Sequence, residues 1–236
     1  MKKVIILPVL ILFSTAIFSQ GVESAQLGAE FHEVATNGQP MGIQSYGSNK
    51  VEGSQFFYPT WTSGSVTTIN NEVISKNYSF LYDKVRQQLF IKREGSSLVL
   101  LAEKDQMRGF TLNTDKVYNF VSASVYDPSD TTNFFEVLVS NNKGYSLLKL
   151  VKATFEKADQ TDMVSMKDGD MSDKFVDDIS YYISYNNGIP KKITSKEKSI
   201  EKAFPSVKGK IADYYNQHGK GTDDSFLTGL VLSLND

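Results

Sequence analysis

Between Gln55 and Phe155 the chain breaks into short apolar or alternating runs separated by turn residues, and this rhythm constrains the fold more than any other feature. The runs are Gln55–Trp61, Ser65–Ile69, Glu72–Ile74, Tyr78–Tyr82, Gln88–Arg93, Leu98–Ala102, Gly109–Leu112, Tyr118–Tyr126, Phe134–Ser140 and Tyr145–Phe155. Each has strand length, and consecutive runs this close together read as antiparallel neighbours. Asn70-Asn71 is a two-residue hairpin signal because Asn tolerates positive φ, and Glu94-Gly95-Ser96 and Asn142-Lys143-Gly144 serve longer loops.

Alternation assigns faces. Tyr78, Phe80 and Tyr82 share one, as an aromatic ladder. Tyr145, Leu147, Lys149, Val151, Ala153 and Phe155 share another, but Leu148 and Leu150 opposite are apolar too, so this strand is expected to be sheltered on both sides. From Glu156 to Asp178 eight acids stand against three lysines, which reads as a surface loop (156–178). The sheet resumes with Ile179, Tyr181, Ile183 and Tyr185, turns at Asn186-Asn187-Gly188 and returns through Ile189–Thr194.

The period then changes to that of a helix. Thr194 with Glu197 resembles a capping box, and Ile200, Ala203 and Phe204 make an apolar stripe that stops at Pro205. Val207, Ile211, Tyr214 and Tyr215 make a second stripe, ending near Gly219. Phe226, Leu227, Leu230, Val231 and Leu234 make a third, with Asp223 and Asp224 suitably placed at its N-terminus. One-sided helices need a partner surface, and the open face of a sheet supplies one. The expected class is α+β: a predominantly antiparallel β meander, as a sandwich or open barrel of about ten strands, with two or three short C-terminal helices packed on it.

The first residues stand apart from that domain. Lys2 and Lys3 precede an apolar run, Val4 to Phe18, and polar residues follow, which is the pattern of a cleavable signal peptide over 1–19. The run is short for a permanent anchor, so no transmembrane anchor is expected after cleavage. Residues 20–50 read as an extended arm and 51–236 as a single domain, β-rich over 51–194 and helical over 195–236. Without Lys2 and Lys3, 23 basic residues face 27 acidic ones, so no strong overall field points to nucleic acid. Cysteine is absent, which excludes disulfides, thiolate metal sites and cysteine nucleophiles.

Few residues carry chemistry. The two histidines, His32 and His218, have no partner at a triad spacing, and no nucleophile elbow, zinc-protease pair, phosphate loop or dinucleotide fingerprint is present; no catalytic residue is assigned. Asp168, Asp170 and Asp173 offer hard oxygen ligands of the kind calcium prefers, without EF-hand spacing; an ordinary solvated loop is the competing reading, and no other cofactor is expected. Phe56, Phe57, Tyr58 and Trp61 could stack on a ligand such as a sugar ring, or close the end of a sandwich. Glu136, inside Phe134–Leu138, is either half-buried with a raised pKa or at an edge, and the edge is favoured. Seven lysines against two glutamates between Lys191 and Lys210 could meet an anionic partner, or form a solvated helical face. Asp130-Thr131-Thr132 resembles a bacterial O-glycosylation acceptor at Thr131.

The segments Gly53–Trp61, Gly64-Ser65-Val66, Tyr78–Tyr82, Gly144–Lys149 and Tyr181–Gly219 together resemble an uncharacterised group of secreted bacterial β-rich proteins with no assigned activity. The resemblance implies export and β-architecture. The expected function is a non-enzymatic envelope or secreted protein, periplasmic or extracellular, binding a small ligand or an envelope or extracellular partner on a β scaffold. The alternatives are a glycan hydrolase built on two carboxylates and a structural or adhesion component.

Overall fold

The computed structural model describes residues 51–157 and 172–236 in full and the backbone of 31–35. The proposed signal peptide, 1–19, most of the arm, and Asp168 and Asp170 lie outside the described residues. In chain order the strands are β1 (Phe31–Ala35), β2 (Val51–Glu52), β3 (Ser63–Thr68), β4 (Val73–Ile74), β5 (Tyr78–Asp83), β6 (Gln88–Arg93) and β7 (Val99–Ala102). They continue with β8 (Met107–Asn113), β9 (Val117–Ser122), β10 (Phe134–Val139), β11 (Tyr145–Glu156), β12 (Asp173–Tyr185) and β13 (Lys191–Ile193). Three helices end the chain: α1 (Glu197–Ala203), α2 (Lys208–His218) and α3 (Asp224–Asn235).

The class is α+β, as the alternation and the terminal stripes imply. A four-stranded sheet in the order β1-β7-β6-β5 lies over one half of a larger sheet ordered β13-β12-β11-β10-β9-β8-β3-β4, to which β2 adds in parallel beside β12. Phe80, Tyr82, Leu89 and Ile91 of the small sheet meet Val66, Phe110, Phe120 and Phe134 of the large one in a buried aromatic core, where the Phe110 and Phe120 rings stack 4.5 Å apart. The three helices share a second core with the remaining strands, through Ile200, Ile211, Leu227, Leu230 and Val231 against Leu147, Ile183 and Ile193. Leu148 and Leu150 are buried on the opposite side beside Ala123 and Phe135, so β11 is sheltered on both faces.

Four local expectations are corrected. Gln55–Trp61 is not a strand: it crosses β5 irregularly, with isolated bridges at Phe56–Asp83 and, just beyond, Thr62–Phe80 in place of a continuous ladder. Pro59 lacks an N–H for a ladder, and the crossing sends Phe57 into the core between the sheets and Phe56 to the other side of the small sheet. The acidic stretch is not a loop throughout, because β12 already starts at Asp173 and pairs residue by residue with β11, Phe175 opposite Phe155 and Val176 opposite Thr154. Its aspartates hid a strand whose first half is largely exposed, from Val176 to Ile179 without interruption. Thr194 is not a helix cap: α1 begins after Lys196, and the Thr194 N–H donates instead to Ser199 Oγ at 3.0 Å. Glu136 is not at an edge, since β10 lies between β9 and β11. Part of the arm, Phe31–Ala35, is itself a strand added antiparallel to β7.

The turn after β5 ties the two sheets together. Asp83, fully buried, accepts from the Val85 and Arg86 N–H groups and from the Arg86 guanidinium. Gln87, at φ 53°, accepts from the Tyr82 hydroxyl at 2.8 Å and donates to the carbonyls of Lys84 and Val151, both at 2.9 Å. This satisfies polar groups that burial would otherwise leave unpaired.

Candidate functional site

One row of directly opposed residues crosses the large sheet from end to end: Ile74, Val66, Phe110, Phe120, Glu136, Lys149, Tyr181 and Ile193. Phe120 and everything before it lie under the small sheet, and Ile193 lies under the helices. The polar members fall between, at the seam where one cover gives way to the other. Cross-strand neighbours have Cβ atoms about 5 Å apart, so the pairing itself brings these side chains together.

Asp224 completes the group from above. It sits in the first turn of α3, whose N-cap Asp223 accepts from the Phe226 N–H at 2.8 Å, and a carboxylate is favoured there. Lys149 Nζ donates to Asp224 Oδ2 at 2.7 Å, and the Tyr181 hydroxyl donates to Oδ1 at 2.6 Å. Glu136, only 3% exposed, stands 3.9 Å from Lys149 Nζ through Oε2 and 4.0 Å from Lys116 Nζ through Oε1. Those separations are attraction without a hydrogen bond, and Oε2 has no partner within bonding distance.

The titration behaviour follows. Burial pushes the Glu136 carboxyl above the ordinary range, and the charges of Lys149 and Lys116 pull part of the way back. For Asp224 burial also acts upward, but the bonds from Lys149 and Tyr181 and the lysine charge outweigh it and hold the carboxyl below its ordinary value. Burial, then the bond to Asp224, raises the Tyr181 phenol and keeps it a donor. A hydrolase of the two-carboxylate kind needs an acid and a base facing a space that admits the scissile bond and, in the inverting case, a water. Here the ammonium of Lys149 occupies the position between Glu136 and Asp224.

The residues singled out from sequence lie elsewhere. Trp61 packs with Phe56 against Leu81, Phe90 and Val99 on the far side of the small sheet, with Lys92 Nζ 4.8 Å above its ring. Phe57 contacts the Tyr118 and Phe120 rings edge-on, and Tyr58 is exposed. Thus the aromatic quartet does not form one stacking surface. Asp173 heads β12 opposite Val51, and among the described residues no three carboxylates or histidines are grouped as a metal site. Thr131 is exposed, beside an Asp130 whose carboxylate is engaged by Thr132 and Asn133. His218 ends α2, stacked on Tyr214 with Nδ1 3.0 Å from the Tyr214 carbonyl. The functional reading of the sequence passed over Lys149, Asp224 and Tyr181. The available signal was one lysine inside the apolar run Leu147–Val151.

No protein-family model, no curated protein and no solved structure matches the chain.

Proposed function

We propose that the chain is an exported bacterial envelope or secreted protein, periplasmic or extracellular, that binds a ligand or partner on its β scaffold without catalysing a reaction. The observation that carries this reading is the seam cluster: its lysine is shared between two carboxylates and its tyrosine is spent on one of them, so its strong groups hold α3 to the sheet. A group engaged in this way anchors an element and is poorly placed to attack or shuttle protons. The positive start at Lys2 and Lys3 followed by the apolar run to Phe18 supports export. Among the described residues no helix is long and apolar enough to cross a membrane.

The test is native mass spectrometry of the chain purified from its own host, with intact-mass measurement of its start. A shortened N-terminus and a co-purifying molecule or partner chain are expected. Retention of residues 1–19 would overturn export. Turnover of a polysaccharide that E136Q or D224N abolishes at unchanged stability would replace the binding reading with the glycan hydrolase.

A further inference from the structure

The end of the molecule where β11 starts and β12 stops is built from two turns and a helix end locked together. The Asn186 N–H donates to the Gly144 carbonyl at 2.8 Å, the rings of Tyr145 and Tyr185 lie 4.7 Å apart, and Asn235 of α3 bonds both the N–H and the carbonyl of Tyr145, at 2.7 and 2.9 Å. Asn186 and Asn187, at φ 50° and 54°, set the β12–β13 hairpin in the tight left-handed turn that such strands favour. Its two flanking apolar residues nevertheless face water, Tyr185 at 49% and Ile189 at 66% exposure.

Lysines surround that tip. Lys143 is exposed in the adjoining β10–β11 turn, and Lys191 and Lys192 follow Ile189 and Pro190 at the start of β13. Lys191 Nζ donates to the Ala203 carbonyl at 2.8 Å, which folds the end of α1 back and brings exposed Lys202 to the same region. Against these stand Asp236, which follows Asn235, and Glu201, which is half-buried and paired with Lys208 at 3.6 Å. The acids of β12, Asp173, Asp177 and Asp178, lie toward the strand's other end.

We propose that this tip docks on the surface of an anionic lipid bilayer, with Ile189 and Tyr185 entering the headgroup boundary and Lys143, Lys192 and Lys202 meeting lipid phosphates. Charge complementarity selects the anionic surface, and the apolar tip selects a bilayer over a soluble polyanion, which would engage the lysines but leave Ile189 in water. Tyrosine and aliphatic side chains are the residues that gain at such a boundary. A single exposed aliphatic residue is ordinary on a protein surface; the inference rests on its position among Lys143, Lys191, Lys192 and Lys202, which outnumber Asp236 and the half-buried Glu201.

The inference deepens the envelope reading and depends on it for the bilayer being within reach, whereas a vesicle assay reads the affinity of the purified chain and fails independently of export. Chain from its own host is sedimented with phosphatidylcholine vesicles with and without phosphatidylglycerol. Binding to the anionic vesicles alone is expected, weakening as salt rises. Each lysine removed should weaken partitioning about five-fold, so K192A/K202A should weaken it roughly 25-fold. I189S should weaken it too, while leaving the salt dependence intact. All these side chains are exposed, so circular dichroism of the variants should match the parent. Equal sedimentation with neutral and anionic vesicles, or variants indistinguishable from the parent, would overturn the proposal. Retention on an immobilised acidic polysaccharide that I189S leaves unchanged, without vesicle binding, would assign the lysines to a polymer instead.

Discussion

Replacing Lys149 by methionine keeps the aliphatic stem and deletes the ammonium that Glu136 and Asp224 share. Two unit charges about 4 Å apart attract by about 4 kcal/mol at an effective dielectric of ~20. Lys116 remains 4.0 Å from Glu136, but its side chain is 56% exposed and screened, so it replaces only a fraction of that attraction. Asp224 is 37% exposed and regains water, which limits its loss to about 1 kcal/mol. Glu136 has no such recourse, and stripping one partner from a buried pair costs about 3–5 kcal/mol. K149M should therefore lose about 3–5 kcal/mol at neutral pH, whereas E136Q should cost about 1 kcal/mol or less because it removes the buried charge itself. In the E136Q background K149M should cost only the Asp224 share, a coupling of about 2–4 kcal/mol. Urea unfolding with an unchanged m-value reads all four proteins. A loss below about 1 kcal/mol for K149M, or an equal loss with and without Glu136, would refute the shared-cation account.

The same carboxyl sets a pH dependence of known sign. Its folded pKa lies above the ordinary 4.5, so the folded state holds the proton more tightly, and this group's contribution to stability falls as pH rises from there through the folded value. E136Q should flatten that fall in unfolding measured between mildly acidic and neutral pH. Asp224 acts oppositely: its stabilisation is complete above 3.8 and is lost as pH falls through its depressed folded value, a loss D224N should remove. Q87A should cost about 3 kcal/mol in denaturant unfolding, because it strands the buried Tyr82 hydroxyl and frees the Lys84 and Val151 carbonyls, whereas Y82F should cost about 1. L227A, at a position with no exposed surface under the helices, should cost about 2–5 kcal/mol in the same assay. G64A should reduce soluble yield and stability together, since a methyl group there would press into the Thr111 carbonyl of β8.

Much of the architecture was legible in the sequence because its signals are local. A short apolar run between turn residues needs only neighbouring residues to declare itself, and β6 spans Gln88–Arg93 as that run reads. The three terminal stripes name the residues that become the second core, and the apolar middle of Tyr145–Phe155 reports that its strand is covered twice. The failures have equally local causes. At Gln55–Trp61 a run with strand composition follows an irregular path because Pro59 and the neighbouring sheet decide its backbone. At Asp173–Asp178 a strand carries loop composition because two partner segments, β11 and β2, supply its hydrogen bonds whatever its side chains.

Of the candidate site only Glu136 was legible, as an acid inside an apolar run. Glu136, Lys149, Tyr181 and Asp224 come from three strands and a helix, and their meeting depends on register, which long-range pairing sets. By itself the sequence determined the alternation of faces, the positions of the turns and which helix sides are apolar, because these follow from the chemistry of residues a few places apart. Only the tertiary structure decided that Glu136 is buried beside one shared lysine, and that Ile189 stands at the tip of a lysine-ringed turn. Burial and proximity belong to surfaces that exist only once distant strands and helices have packed.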